Sequence, residues 1–113
     1  MTIEAYIIQY LDSRLSVPVS GDIPEPLPET FVTVEQTGGE HRDKIRHATI
    51  AVQSWSTSRA NAAALDEEVI QILEAATGEP EISRCALDSH YNFTDLSRKK
   101  PRYQAVFDVV YYL

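Results

Sequence analysis

Apolar residues recur at two different spacings along this chain, and the spacing separates predicted helices from predicted strands. Over residues 3 to 15 and again over residues 60 to 76, apolar side chains return every three or four positions, the period of an amphipathic helix. The positions on these two stripes are Ile3, Ile7, Ile8, Leu11 and Leu15, and then Ala62, Leu65, Val69, Ile72, Leu73 and Ala76. The sequence therefore predicts two helices, each with one apolar face.

The flanking residues suit these helix ends. Thr2 is a candidate N-cap of the first helix, which Pro18 forces to end because the residue before a proline is pushed out of the helical region. Residues 56 to 58 offer three N-caps to the second helix, and Gly78 is placed as its C′ residue. The acidic residues of the second helix are expected to face mostly solvent: Asp66, Glu67, Glu68 and Glu74.

Alternating apolar and β-branched residues predict the strands. Residues 31 to 36 read as one strand and residues 47 to 55 as its returning partner, with Gly38-Gly39 in the turn between them. This pair is a β-hairpin with a polar tip from Thr37 to about Arg46. Residues 81 to 87 predict a weaker third strand, residues 88 to 101 a long polar connection, and residues 103 to 112 the last strand.

The order helix, strand, strand, helix, strand, strand predicts an α+β domain. One mostly antiparallel four-stranded sheet carries both helices on one face, because each helix has a single apolar stripe to bury. With 113 residues the chain is expected to form one domain.

Four prolines occur in the connection formed by residues 17 to 30. Proline lacks a backbone N–H and fixes φ, so this connection is predicted to be extended and partly polyproline-like, lying on the domain surface. It either serves as plain linkage or forms a stiff arm that meets another subunit. Pro24, Pro26 and Pro28 are the candidate contact residues of this arm.

The second face of the sheet is more apolar than solvent exposure explains. On the last strand that face includes Val106 and Tyr112. Trp55 lies on the same second face, because it points away from Ile50 and Val52 on its own strand. Apolar groups of this kind mark interaction sites, which makes Trp55, Val106 and Tyr112 candidate interface residues. The alternative is a twisted strand whose end curls over the core.

The net charge of −7 disfavours binding of free nucleic acid, which needs a basic surface. Positive charge is concentrated at Arg42, Lys44 and Arg46, and again over residues 98 to 102, both in predicted loops where solvated tips are the ordinary interpretation. The alternative is that the hairpin projects toward a neighbouring subunit, which makes Arg42, Lys44 and Arg46 candidate interface residues as well. No apolar run approaches the length of a membrane span, and the first residues do not look like a signal peptide. The single Cys85 excludes an internal disulfide and is typical of a reducing cytoplasm.

No residue pattern in the chain indicates catalysis, a cofactor or a metal site. His41, His47 and His90 are far apart and form no ligand pair, and no nucleotide-binding or nucleophile motif occurs. Carboxylate pairs occur only on the second helix, where solvation explains them. The sequence predicts neither catalytic residues nor cofactors, although a site assembled from scattered residues stays open.

Several stretches together resemble the small tail-terminator proteins, also called tail completion or head–tail joining proteins, of long-tailed phages and prophages. These are the proline-spaced V-S-x-x-I-P-x-P-x-P-E-x-F-V-x-V-E-x-T-G-G, the strand A-V-Q-S-W, the helix start S-R-A-x-A-A-A-L and the closing strand P-R-Y-Q-A-V-F-D-V. The resemblance covers about nine-tenths of the chain and includes no residue that carries chemistry.

The resemblance implies a structural protein of the virion tail, assembled in the bacterial cytoplasm. Six copies would form a ring at the head-proximal end of the tail tube, in contact with the tail-tube protein and the head connector. DNA would pass through without specific binding, and no membrane is involved. The alternatives are a connector adaptor or tail-tube subunit on a similar fold and, from a different class, a small α+β enzyme or ligand-binding domain.

Overall fold

A computed structural model describes residues 1–42 and 45–113 of the chain, with only the backbone described for Arg42. Its elements are two helices, α1 (Ile3–Asp12) and α2 (Arg59–Glu74), and five strands, β1 (Val19–Ser20), β2 (Phe31–Arg42), β3 (Ile45–Trp55), β4 (Ile82–Asn92) and β5 (Arg102–Tyr111). A short 3-10 turn, Ala75–Gly78, follows α2. The α+β class predicted from the sequence is confirmed.

The sheet has five strands in the order β1-β2-β3-β5-β4, not the four predicted. The additional strand is β1, which lies within the predicted proline connection and pairs in parallel with Val32 and Thr33 of β2. All other pairs are antiparallel. A proline directly before β1 is compatible with this pairing because Pro18 contributes only its carbonyl, which accepts from the N–H of Val32 at 2.9 Å.

The predicted turn at Gly38-Gly39 is wrong, because both glycines pair within the hairpin, opposite Thr49 and Ala48. A register shift between Gln36 and Gly38 leaves one extra residue in β2, the signature of a bulge. A Cβ at Gly39 would lie 3.0 Å from the carbonyl oxygen of His47, so the glycine permits a close approach of two strands. The hairpin therefore continues to Arg42 and Ile45, and its tip lies outside the described residues.

The hairpin belongs to the sheet for nearly its whole length. β5 follows β3 as far as the pair Arg46–Tyr111, so β3 has a neighbour on each side. β4 is also longer than predicted: it continues to Asn92, which shortens the polar connection before β5. The helix predicted to end near residue 15 ends at Asp12, although Leu15 is still buried.

Both helices pack on one face of the sheet, as predicted. Thr2 caps α1 by accepting from the N–H of Ala5, and Ser58 caps α2 by accepting from the N–H of Asn61. Buried residues of both helices join the inward-facing residues of the strands in a single apolar cluster. None of the helices in the described ranges combines the length and apolar character needed to cross a membrane.

The buried face of α2 differs in three positions from the predicted one. Ile70 is buried and Ile72 only partly so, while Asp66, which was expected to face solvent, is 1% exposed. A helix packed against three strands buries a wider arc than one apolar stripe, and here that arc reaches the neighbouring carboxylate. Leu65, Val69 and Leu73 are buried as predicted.

This difference changes how much stability is expected to be lost when side chains of α2 are replaced by alanine. Leu73→Ala should lower the free energy of unfolding by ~2–5 kcal/mol, because a fully buried leucine leaves a cavity. Ile72→Ala should cost clearly less, since its side chain lies at the edge of the core. Urea unfolding of the two variants measures the difference, and equal midpoints would contradict the helix rotation described here.

Candidate functional site

The outer face of the sheet, opposite the helices, carries a row of stacked side chains at one end. Phe31, Trp55 and Arg102 are direct neighbours on β2, β3 and β5. The Phe31 and Trp55 rings stack with centroids 5.1 Å apart, and the Arg102 guanidinium carbon lies 4.7 Å from the Trp55 ring and 4.3 Å from the ring of Phe93. Arginine between two aromatic faces gains cation–π energy and loses freedom of movement. This aromatic row is therefore a rigid feature of the surface.

A ladder of polar side chains runs beside the aromatic row and crosses four strands. The Thr33 hydroxyl donates to Gln53 Oε1 at 2.7 Å, Gln53 Nε2 donates to Gln104 Oε1 at 2.6 Å, and Gln104 Nε2 donates to the Tyr91 hydroxyl at 2.6 Å. Each pair is directly opposite in strand register. Trp55 Nε1 donates to the Thr33 hydroxyl at 3.0 Å and joins the two rows. Mutual hydrogen bonds fix these side chains in place.

The two rows form the floor of a shallow concavity of about 350 Å³ on the outer face. Arg102, Trp55 and Phe93 line one end, Glu35 lines the other, and Ile23 from the segment after β1 forms part of the wall. Burial lowers the pKa of the Arg102 guanidinium below its ordinary value, while the nearby Asp95 carboxylate acts in the opposite direction. An arginine keeps its charge despite such a shift, so one end of the concavity is cationic.

Trp55 was predicted as an interface residue needing a partner to cover it, and that interpretation is wrong for its ring. The side chain is 1% exposed within the single chain, held between Phe31 and Arg102. Of the other outer-face candidates, Val106 is half-buried and Tyr112 is 57% exposed. Exposed aromatic surface on this end of the sheet comes instead from Tyr91 and Phe93, whose rings meet edge to face 5.9 Å apart.

The three prolines of the predicted arm lie on the surface to different degrees. Pro26 is exposed, whereas Pro24 and Pro28 are half-buried. The end of the arm is tied to the domain by Lys100, whose ammonium donates to the carbonyl of Glu29 at 2.8 Å. The proline segment between β1 and β2 is therefore attached to the domain at both ends, by the pairing of β1 at its start and by the Lys100 contact at Glu29.

The predicted basic cluster at the hairpin tip is described only in part. Arg46 is exposed on β3, Lys44 lies outside the described residues, and so does the side chain of Arg42. Arg46 is far from the aromatic row, because β3 runs eleven residues from Ile45 to Trp55. The structure thus separates two sets of candidates that the sequence could not separate, the hairpin end and the aromatic end of one sheet.

A buried carboxylate couples α2 to β4. Asp66 Oδ2 lies 2.8 Å from His90 Nδ1, and Asp66 Oδ1 is buried without a hydrogen-bond partner among the described residues. Burial raises the Asp66 pKa above its ordinary value, while the hydrogen bond and the charge of His90 act to lower it. With the exposed Glu67, these side chains bring three ligand-type atoms within 4.8 Å, a spacing compatible with a divalent cation. No sequence motif indicates this trio, because His90 is distant from Asp66 and Glu67 in the chain.

The raised Asp66 pKa predicts a pH-dependent stability. A carboxyl whose pKa is higher in the folded than in the unfolded state stabilises the fold when protonated, and this contribution is lost as the pH rises through the folded-state pKa. Relative to Asp66→Asn, the wild type should therefore lose stability from about pH 4 upward, where the unfolded carboxyl ionises. Urea unfolding of both proteins between pH 4 and 7 measures this, and a difference that is constant with pH would contradict it.

Cys85 offers little thiolate chemistry. It is buried on β4, and burial, together with the charges of Glu74 and Asp108, raises its pKa to about 12. A thiol with so high a pKa is protonated at neutral pH and reacts slowly. Cys85 is therefore a packing residue of β4, in the apolar cluster.

Arg102 was not predicted as a site residue, because it was interpreted as one of the solvated loop charges at residues 98 to 102. The available signal was its position at the start of an alternating strand, two residues before Gln104 on the same face. The concavity on the outer face thus combines one cation with side-chain amides and aromatic rings. Comparison of the sequence with known protein families finds no matching family model, and a search of curated proteins likewise finds no match.

Proposed function

We propose that this chain is a structural subunit of a phage or prophage tail, forming a hexameric ring that caps the head-proximal end of the tail tube and joins it to the capsid connector. In this role the protein carries out no catalysis and needs no cofactor. Its partners are further copies of itself, the tail-tube protein and the head connector proteins.

One observation carries the proposal beyond the sequence resemblance. The separate stretches that give the resemblance meet on the outer face: Phe31 lies in the proline-spaced stretch, Trp55 in A-V-Q-S-W, and Arg102 in the closing strand. Stretches that are distant in the chain thus build one rigid element, in which the buried Phe31 and Trp55 support the partly exposed Arg102. A rigid cation at the surface supports a role in assembly, because it loses little freedom of movement when a neighbour docks.

The polar ladder supports the same role. Thr33, Gln53 and Gln104 hold each other in fixed positions, as does the stacked Arg102, so little conformational entropy remains to be lost when a neighbour docks. Tyrosine and arginine, present here as Tyr91 and Arg102, are also among the residue types that contribute most to interface energies. A concavity of this kind serves a ligand-binding domain equally well, which keeps that class as the second candidate.

Light scattering after size exclusion, together with electron microscopy of negatively stained samples, tests the proposal. We expect rings of six copies with a central channel, and rings bound at one end of purified tail tubes. Tubes of indefinite length would instead indicate a tail-tube subunit, and rings that bind only capsids would indicate a connector adaptor. A chain that stays monomeric, alone and with tail tubes, would contradict the proposal and favour a ligand-binding domain.

A further inference from the structure

The Arg102 guanidinium is held in place but only partly used. Its Nε donates to the carbonyl of Phe93 at 2.6 Å, and its plane is fixed by the rings of Trp55 and Phe93. Within the described residues its two terminal nitrogens have no hydrogen bond and no carboxylate at ion-pair distance. The neighbouring carboxylate of Asp95 is engaged by Arg98 at 2.7 Å. Arg102 therefore presents a rigid two-pronged donor at the end of the concavity.

A fork of two parallel N–H donors fits a carboxylate better than any other group that proteins present. The chain itself is a rich source of carboxylates, with 17 Asp and Glu against 10 Lys and Arg. We call Glu67, Glu68 and Glu74 the acidic helix face, because all three are exposed on α2. None of them forms an ion pair with the described residues, and after Arg59 the helix carries no basic residue.

The positions of these two features suit a ring. The buried side of α2 packs on the inner face of the sheet, whereas Arg102 lies on the outer face, so the acidic helix face and the Arg102 fork are on opposite sides of the domain. A contact between two different surfaces of identical copies is heterologous, and repeated heterologous contacts close into rings. A two-fold dimer would instead place like surfaces together.

We propose that the Arg102 fork of one copy binds a carboxylate from the acidic helix face of the next copy, with the concavity beside Trp55 receiving the exposed side of α2. This inference rests on the proposed ring. It names the pairing that orients one subunit on the next, and it commits the outer face to a second copy of this chain as its occupant.

A double-mutant cycle tests the pairing. Arg102→Gln should weaken self-association at least about tenfold, since charge-assisted hydrogen bonds are lost. The combined Glu67→Gln, Glu68→Gln and Glu74→Gln variant should weaken it similarly. Combining Arg102→Gln with the three glutamate substitutions should weaken self-association no further, because the same contact is already absent in each variant. Arg14→Gln removes an equal charge from an exposed position after α1, which belongs to neither surface, and its exposed pair with Glu79 contributes little, so association should be unchanged.

Trp55 gives a second readout that does not depend on how well Arg102 variants fold. It is the only tryptophan, and its ring touches the Arg102 guanidinium. Its emission should change as wild-type copies associate and should stay constant over the same concentrations in the triple α2 variant. Two outcomes would contradict the pairing while leaving the proposed ring intact. In the first, the wild type forms rings but the losses of association in the Arg102 and α2 variants multiply when the variants are combined. In the second, Arg102→Gln forms rings normally. A wild type that never self-associates overturns both this inference and the proposed function.

Discussion

Replacement of Trp55 by alanine is expected to lower the free energy of unfolding by ~3–5 kcal/mol, a large share of the stability of a small domain. The ring is 1% exposed and stacks on Phe31, and its Nε1–H bonds the Thr33 hydroxyl at 3.0 Å. Its loss leaves a cavity on the outer face, removes the cation–π contact of Arg102 and frees the Thr33 end of the polar ladder. Urea unfolding followed by circular dichroism measures the effect, since the variant has no tryptophan.

Trp55→Phe is the matched control. It keeps an aromatic ring between Phe31 and Arg102 but removes the indole N–H, so it should cost less than the alanine variant. A Trp55→Ala protein that unfolds at the wild-type midpoint would contradict the burial described here. It would return Trp55 to the role first predicted for it, as a residue covered only by a partner.

Reversal of the basic charges at the hairpin tip is expected to abolish ring formation while leaving the melting temperature nearly unchanged. Arg42→Glu with Lys44→Glu adds negative charge to a chain whose net charge is already −7. In a ring each tip meets the same neighbouring surface, and the exposed Glu25 and Glu29 of the arm are acidic partners available there. Individual exposed pairs contribute only about 0–1 kcal/mol, but closure of the ring repeats the loss at every interface.

Light scattering at matched protein concentrations measures the assembly, and raised salt should weaken the wild-type ring. Arg14→Glu with Lys99→Glu is the control, because it makes the same charge change at two exposed positions outside the hairpin and outside α2. If the tip variant forms rings as the wild type does, the hairpin tip is not an interface and is a solvated loop.

The resolved geometry divides the first set of interface candidates into two groups with different roles. Trp55 stabilises the single chain, and the groups next to it that a neighbour could contact are the partly exposed Arg102 and the exposed Phe93. Arg46 lies at the other end of the same sheet. If a ring used both ends of the sheet as contacts, each interface would extend along the long axis of the molecule, which measures 43 Å.

The spacing of apolar residues was enough to predict both helices, most of the strands and most of their buried positions. A repeat of three to four residues or of two is a local property, because it follows from the geometry of a helix or a strand. That is why the helical pattern predicted the existence of α2, with Ser58 as one of three candidate caps, and why alternation placed Ala105, Phe107 and Val109 on the face of β5 opposite Val106. The α+β class follows, since two single-faced helices need one sheet surface to cover them.

Which strands are neighbours and which polar groups are buried depend on contacts between distant residues, so local patterns did not predict them. Two glycines suit a turn or a close strand pair equally well, and the pairing of Gly39 with Ala48 chose the strand. β1 is two residues long, too short for any period, and exists only because β2 lies beside it. Asp66 and Arg102 are charged residues whose burial depends on His90, Trp55 and Phe93, which come from distant parts of the chain. Contacts between distant residues leave no period in the sequence, so the candidate site became visible only once the sheet was assembled.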